Sequence, residues 1–277
     1  MNEDNIKKQI AGIFNRAAPT YDQVGFRFFQ YFGEQLVDLI DIPKKGNVLD
    51  VASGRGAILF PAQKKVGSQG SVIGIDLSED MVRLTTQEIN KRGFLNIKMT
   101  QMDAEKLKFP DSMFDVVFCG LSIFFFPQYQ KAINESYRVL KPNGKIGVST
   151  FCKSTYDSTI WIYDLIRKYL PVNMEKEKQE EEIEEPGFET VEGMHRILSK
   201  AGYKDIYNKI NERKFVCKTA EEFWEGLWST ARREELERIS PENLVKFKEE
   251  LTSNFHKKRN KNGLDWNIKV LFTFGRK

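Results

Sequence analysis

From about residue 34 onward, short apolar runs alternate with stretches whose apolar residues recur at helical spacing. That alternation predicts parallel strands joined by crossover helices. Leu36, Val37, Leu39 and Ile40 give one face of a helix over Glu34 to Ile40. Val48 to Val51 is the first strand, Ala57 to Val66 a helix, and Val72 to Ile75 the second strand. Ser78 opens a helix that runs to about Arg92, because it offers an N-cap with Glu79 and Asp80 in the first turn. Ile97 to Gln101 and Phe114 to Cys119 are further strands. Tyr129 to Leu140 is a helix stopped by the turn Lys141-Pro-Asn-Gly, and Lys145 to Phe151 is the fifth strand.

Beyond Phe151 the pattern loosens. Ser158 to Leu170 reads as an aromatic-rich helix ended by Pro171. Glu175 to Glu185 carries seven acids in eleven residues, a solvated loop that is also suited to hinge a cover over a site. Val191 to Ala201 is a helix ended by Gly202, and Tyr203 to Phe215 a strand with a twisted or bulged middle. Two helices, Ala220 to Arg238 and Pro241 to His256, precede a last strand, Trp266 to Phe274. The whole is an α/β fold: a seven-stranded, mostly parallel sheet with helices on both faces and a helical lid. Residues 1–33 are expected as an N-terminal helical cover and 34–152 as the core. Residues 153–277 form a variable half, with lid helices at about 153–200 and 219–257 and final strands completing the sheet.

Composition narrows the class. The 277 residues are 40% hydrophobic and 30% charged, which suits a soluble domain with a sizeable core. A net charge of +4 is too mild to argue for nucleic acid. Four basic residues within Lys257 to Lys261 read as a solvated connector rather than a phosphate patch. Cys119, Cys152 and Cys217 fit neither a disulfide framework nor a zinc pattern, so a reducing compartment is expected. The start of the chain lacks an apolar h-region, and Val116 to Phe126 falls short of a bilayer span of roughly 20 residues. A soluble, cytoplasmic monomer or homodimer is the expectation.

The chemistry concentrates where the first strand meets Ala52, Ser53, Gly54 and Gly56, with Asp76 closing the second strand twenty positions after Gly56. Small residues let backbone approach a nucleotide-like ligand, and an acid there grips a ribose diol. A dinucleotide fingerprint wants a third glycine where Leu59 stands, and no Gly-Lys-Ser/Thr follows for a P-loop. Asp50-x-Ala52-x-Gly54-x-Gly56 followed by Asp76 resembles the class I S-adenosylmethionine-dependent methyltransferases. Gln101-Met-Asp103-Ala104-Glu105, Phe114-Asp-Val-Val-Phe-Cys-Gly120 and Arg138-Val-Leu-Lys-Pro-Asn-Gly-Lys-Ile146 resemble later stations of that family. Ala18-Pro-Thr-Tyr21-Asp22 is similar to the ubiquinone/menaquinone-biosynthesis-like group of small-molecule methyltransferases. The resemblance spans about residues 14 to 152 and implies a Rossmann-like fold.

The resemblance implies S-adenosylmethionine as cofactor, S-adenosylhomocysteine as product and a small-molecule acceptor. It assigns Asp76 to the ribose hydroxyls, which suits an acceptor-only carboxylate. Asp103 takes the adenine amine beside Ala104, Leu77 and Met81 flank the adenine, and Asp50 organises the turn with Ser53, Gly54 and Gly56. Cys119 and Gly120 floor the pocket. Tyr21 covers the sulfonium region, or alternatively plugs the N-terminal helix into the core. This sequence departs from the pattern at Ala52, where glycine is commoner. It departs again at Leu121 to Phe126, which is more apolar than in quinone-methylating relatives. Phe26, Phe29, Ser122, Phe125, Phe126 and Trp161 are expected around an apolar acceptor. No catalytic base and no metal constellation is identifiable, and His195 and His256 read as surface residues. An RNA or protein methyltransferase, or a cofactor-binding protein without chemistry, are the alternatives.

Overall fold

The structure, a computed structural model, describes residues 2–156, 160–171 and 187–277. It begins with α1 (Glu3–Ala17) and α2 (Phe29–Asp38). The alternating part follows as β1 (Asn47–Val51), α3 (Leu59–Val66), β2 (Ser71–Asp76), α4 (Glu79–Lys91) and β3 (Ile97–Gln101). Next come β4 (Phe114–Gly120), α5 (Tyr129–Val139) and β5 (Leu140–Phe151). The second half holds α6 (Ile160–Tyr169), α7 (Val191–Lys200), β6 (Lys204–Cys217), α8 (Ala220–Trp228), α9 (Arg233–Glu237), α10 (Pro241–Lys258) and β7 (Leu264–Arg276). The acidic run Glu175 to Glu185 and the expected helix start at Ser158 lie outside the described residues.

The seven strands form one sheet in the order β3-β2-β1-β4-β5-β7-β6. β1 to β5 run parallel, and β7 runs antiparallel to both β5 and β6. Strand order reverses between β1 and β4, where Asp50 pairs with Phe118 and Val51 with Cys119. At such a switch point the flanking loops diverge and leave a crevice beyond the carboxyl ends of the strands. Apolar side chains pack on both faces: Phe32, Val48, Phe118 and Phe272 on one, Leu49, Ile75, Val117 and Val148 on the other. A third cluster, with Ile166, Phe223, Leu236, Phe247 and Phe255, unites α6, α8, α9 and α10 around their own core.

Several boundaries differ from the sequence expectation, each for a physical reason. α2 starts at Phe29, so the boundary expected at 33/34 falls inside it. Its N-terminal N–H groups are capped from a distance: Phe29 N–H and Gln30 N–H donate to the Asp22 carboxylate at 3.2 and 2.9 Å. The helix expected over Ala220 to Arg238 splits into α8 and α9. Ser229 and Thr230 turn their hydroxyls onto the carbonyls of Gly226 and Leu227, at 2.9 and 3.2 Å, which competes with helix continuation. The Lys141 to Gly144 turn is absorbed into β5, whose pairing with β4 skips between Phe114 and Val116. In β6 the irregularity sits near the start, between Lys204 and Tyr207, rather than in the middle.

Candidate functional site

The turn after β1 is built from left-handed backbone. Ala52, Gly54 and Gly56 have φ of 54°, 52° and 84°. At Gly56 an added Cβ would come within 2.6 Å of the Phe60 ring, so only glycine fits. Ala52 occupies a conformation that costs an L-residue roughly 1–2 kcal/mol. Ala52→Gly is therefore expected to raise stability by about 1 kcal/mol, partly offset by glycine's entropy in the unfolded chain. Urea unfolding that shows no gain would contradict this account of the turn.

Asp76, at the end of β2, accepts from Gly54 N–H at 2.8 Å and from Ser78 N–H at 2.9 Å. Each carboxylate oxygen keeps a second lone pair for a ligand hydroxyl. Beneath it, Asp50 is buried and accepts from the Ser53 hydroxyl at 2.6 Å, while its other oxygen has no protein partner. Loss of hydration pushes Asp76 up to about 6, against the backbone donors that pull it down. The same desolvation, with help from the neighbouring Asp76 charge, pushes Asp50 up to about 7. The resulting pH dependence has two signs. Affinity for any ligand whose hydroxyls donate to Asp76 is expected to fall from pH 8 to pH 5 as the carboxylate loses its charge. The ligand-free fold becomes more stable as pH drops from about 7 toward the ordinary value of 3.8, because the native acids bind protons that the unfolded ones release. Calorimetric titrations and thermal unfolding across that range check both trends.

Across the pocket, Asp103 accepts from Glu105 N–H at 2.8 Å and from the Lys7 ammonium at 2.8 Å. The same ammonium is ion-paired with Glu105, only 2% exposed, which also accepts from Gln128 N–H at 2.7 Å. Lys7 comes from α1, 96 residues away in sequence from Asp103. Sequence reasoning missed it, although Lys7, Ile10, Ala11 and Phe14 follow the i, i+3, i+4, i+7 spacing of one helix face.

Two cavities occupy the crevice. The first, about 750 Å³, is lined by Asp76, Leu77 and Met81 from the β2 end, Asp103 and Ala104 beyond β3, and Lys7 and Phe14 from α1. Tyr21, Ala52, Gly54, Gly120, Ser122, Phe125 and Phe126 also face it. Asp50, Ser53, Gly56 and Cys119 lie behind this wall; Cys119 touches the Ser122 hydroxyl at 3.2 Å. The second cavity, about 1430 Å³ with its open mouth included, is walled by aromatic rings including Phe26, Phe28, Phe29, Phe151, Phe223 and Trp266, with Asp22, Arg27, Arg232, Glu234 and Glu235 also lining it. The two share Phe14, Tyr21, Leu121 and Phe125. Ser122 and Phe126, expected around the acceptor, thus face the first cavity. Trp161 turns instead into the third apolar cluster, its ring 5.9 Å from that of Phe223.

Tyr21 stands at the junction, its ring stacked on Phe29 at 4.8 Å. Burial drives its phenol well above the usual range, so it stays protonated at neutral pH. The Cys119 thiol is pushed up to about 12 by burial, which rules out a thiolate there. His195 lies half-buried on α7 and His256 exposed on α10, and neither lines a cavity. Among the described residues no group of three or more His, Cys, Asp or Glu is placed to hold a metal ion. No helix among them is long and apolar enough to cross a membrane.

Sheet order, reversed last strand, glycine turn and paired acids together define a methyltransferase-type nucleotide site. The chain matches the ubiE/COQ5 methyltransferase family over residues 2–212 and belongs to that family. Its methyl donor is accordingly S-adenosylmethionine. It is 39% identical over 150 residues to the aklanonic acid methyltransferase of Streptomyces sp. strain C5, covering 54% of this chain and 68% of that protein. It is 41% identical over 138 residues to the nocamycin O-methyltransferase of Saccharothrix syringae, covering 50% and 49%. The chain thus spans between about half and two thirds of the length of these relatives. In fold, the YcgJ protein of Bacillus subtilis aligns with a TM-score of 0.59 at 19% identity, over 89% of this chain and 98% of that one. The family match ends before α8, α9, α10 and β7.

Proposed function

We propose that the chain transfers the methyl group of S-adenosylmethionine, by in-line displacement, to an oxygen, nitrogen or carbon nucleophile of a small apolar or aromatic molecule. The observation that carries this reading is the junction of the two cavities at Phe14, Tyr21, Leu121 and Phe125. A donor in the first cavity, beside Asp76 and Asp103, and an acceptor in the second would meet there. In the reaction the methyl–sulfur bond breaks as the bond to the acceptor forms, and sulfur leaves with the electron pair as a thioether.

The chain's own contribution is alignment and dryness. In this reading Asp76 grips the ribose, Asp103 takes the adenine amine, and Leu77 and Met81 flank the base. The glycine turn, with Asp50 behind it, faces the methionine end. Held reactants gain up to roughly 7–11 kcal/mol from alignment, whereas a general base contributes only about 10²–10⁴ in rate. That ratio suits a site whose junction carries a neutral phenol and three apolar side chains. The aromatic walls exclude water, and α6, α8, α9 and α10 serve as the acceptor's lid in a cytoplasmic monomer or homodimer. A cleft walled largely by aromatic rings favours a small molecule over RNA or protein, and the relatives named for aklanonic acid and nocamycin point the same way. The name of the second relative favours oxygen as the acceptor atom.

The test is incubation of the protein with methyl-labelled donor and a fractionated metabolite extract, followed by mass spectrometry. Label in a small apolar product is the expected result. Label confined to RNA or protein fractions, or remaining entirely in the donor, would overturn it.

A further inference from the structure

The outer wall of the donor cavity comes from α1, through Lys7, Ile10, Ala11 and Phe14. This helix is not continuous with the sheet, and polar anchors hold it in place. At its C-terminal half the Asn15 side-chain oxygen accepts from the Ser78 hydroxyl at 2.6 Å and from Asp80 N–H at 3.2 Å. At its N-terminal half the exposed Glu3 carboxylate accepts from the Gln128 side-chain amide, and the more buried anchor is Lys7, 16% exposed, between Asp103 and Glu105. A helix of about 15 residues is marginal in water by itself, so its order depends on such anchors.

The two carboxylates make the Lys7 anchor unusually demanding. Asp103 is held at both oxygens, by Glu105 N–H and by Lys7, so its plane is set while each oxygen keeps a spare lone pair. Glu105 is buried, and Lys7 supplies its cation. Removing the Lys7 cation while α1 stays docked would leave that buried carboxylate unpaired, which is far costlier than losing an exposed pair.

We propose that Lys7 is a positioning residue of the donor site: by bridging Asp103 and Glu105 it docks α1 over the adenine end, so that closing the helix and retaining the nucleoside are one event. This rests on the donor assignment given above. Lys7 acts through Asp103, which meets the adenine amine, and through the helix it fastens. Donor exchange then requires the Lys7 bridge to open, because α1 forms the outer wall of the site.

The experiment uses the full chain with S-adenosylhomocysteine as probe, in wild type, Lys7→Gln and Lys7→Arg. A further variant carries Lys7→Gln and Glu105→Gln together. Radiolabelled probe is chased with unlabelled probe to read release, and hydrogen exchange is followed with and without the probe. In Lys7→Gln the expected release is about tenfold faster or more, as befits loss of a pair with a buried partner. Residues 3–17 then lose the protection that the probe confers, while residues 71–81 keep theirs. Lys7→Arg retains slow release, which a merely structural weakening would not select. The double variant removes the stranded charge, so it keeps the test open if the single one unfolds, and its release is also fast. Release within twofold of wild type in both Lys7→Gln variants, or α1 protection that persists in them, overturns the inference. Failure of the wild-type protein to bind the probe overturns the donor assignment, and the inference with it.

Discussion

Replacing Asp76 with alanine is expected to weaken S-adenosylhomocysteine binding by about 10²–10⁴-fold, since a hydrogen bond to a charged group contributes about 1.5–3 kcal/mol and the assignment gives this carboxylate two. The effect has a second source within the protein. Gly54 N–H and Ser78 N–H both donate to Asp76, so alanine leaves the glycine turn and the start of α4 without their common acceptor. Asp76→Asn separates the two sources. Its single acceptor oxygen can serve one backbone donor, while its amide is the wrong polarity for a second hydroxyl donor. Binding should therefore fall between wild type and Asp76→Ala. Isothermal titration at pH 8, well above the value of about 6 for Asp76, measures the ionised form. An alanine variant within threefold of wild type would remove Asp76 from the ribose.

Phe247→Ala is expected to melt the helical cluster while sparing the donor site. Phe247 is fully buried on α10, with its ring 5.8 Å from Tyr169 and 6.0 Å from Trp224. Truncating a buried phenylalanine costs about 3–5 kcal/mol, because the cavity left behind collapses only in part. Here the loss falls on the third cluster, which meets the first through Phe26 and the sheet through Cys217 and Leu264 but draws most of its residues from the helices. Local opening is cheaper than global unfolding when a cluster has its own boundary. Hydrogen exchange in α6, α8 and α10 should accelerate, and methyl transfer should fall if the acceptor sits, as proposed, in the second cavity, which α8 helps to wall through Phe223 and Leu227. Donor affinity should stay within about threefold, because Phe247 lines neither cavity. Loss of donor binding together with the helical cluster would show that the cluster and the donor site fold as one unit.

The parts legible in the sequence share a property: their signals are local. Strands β1 to β5 announce themselves as apolar runs between turn residues, and α4 by Ser78, whose hydroxyl accepts from Met81 N–H. The donor turn was readable because backbone geometry at Gly54 and Gly56 is a property of those residues, and because Asp76 follows at a fixed distance along a β-α-β unit. Ala52 illustrates the limit of the same logic. Its identity departs from the common glycine, yet the chain holds the left-handed conformation anyway, since neighbouring hydrogen bonds such as Ser53 N–H to Ile75 O at 2.8 Å over-determine the turn.

What the sequence by itself determined is therefore the order of elements, the polarity of each face and the residues at the strand ends. Periodicity and turn chemistry act over a few residues and are written in consecutive letters. The tertiary structure alone decided which faces meet. It brought Lys7 onto Asp103, sent Asp22 to cap a helix seven residues on, and turned Ser122 and Phe126 toward the first cavity and Trp161 into the third apolar cluster. It also set the two cavities side by side, with Phe14, Tyr21, Leu121 and Phe125 lining both. An apolar stripe states that a face is buried, whereas its partner is chosen by packing among residues far apart in the chain, where shape and desolvation act together and no local spacing records the outcome.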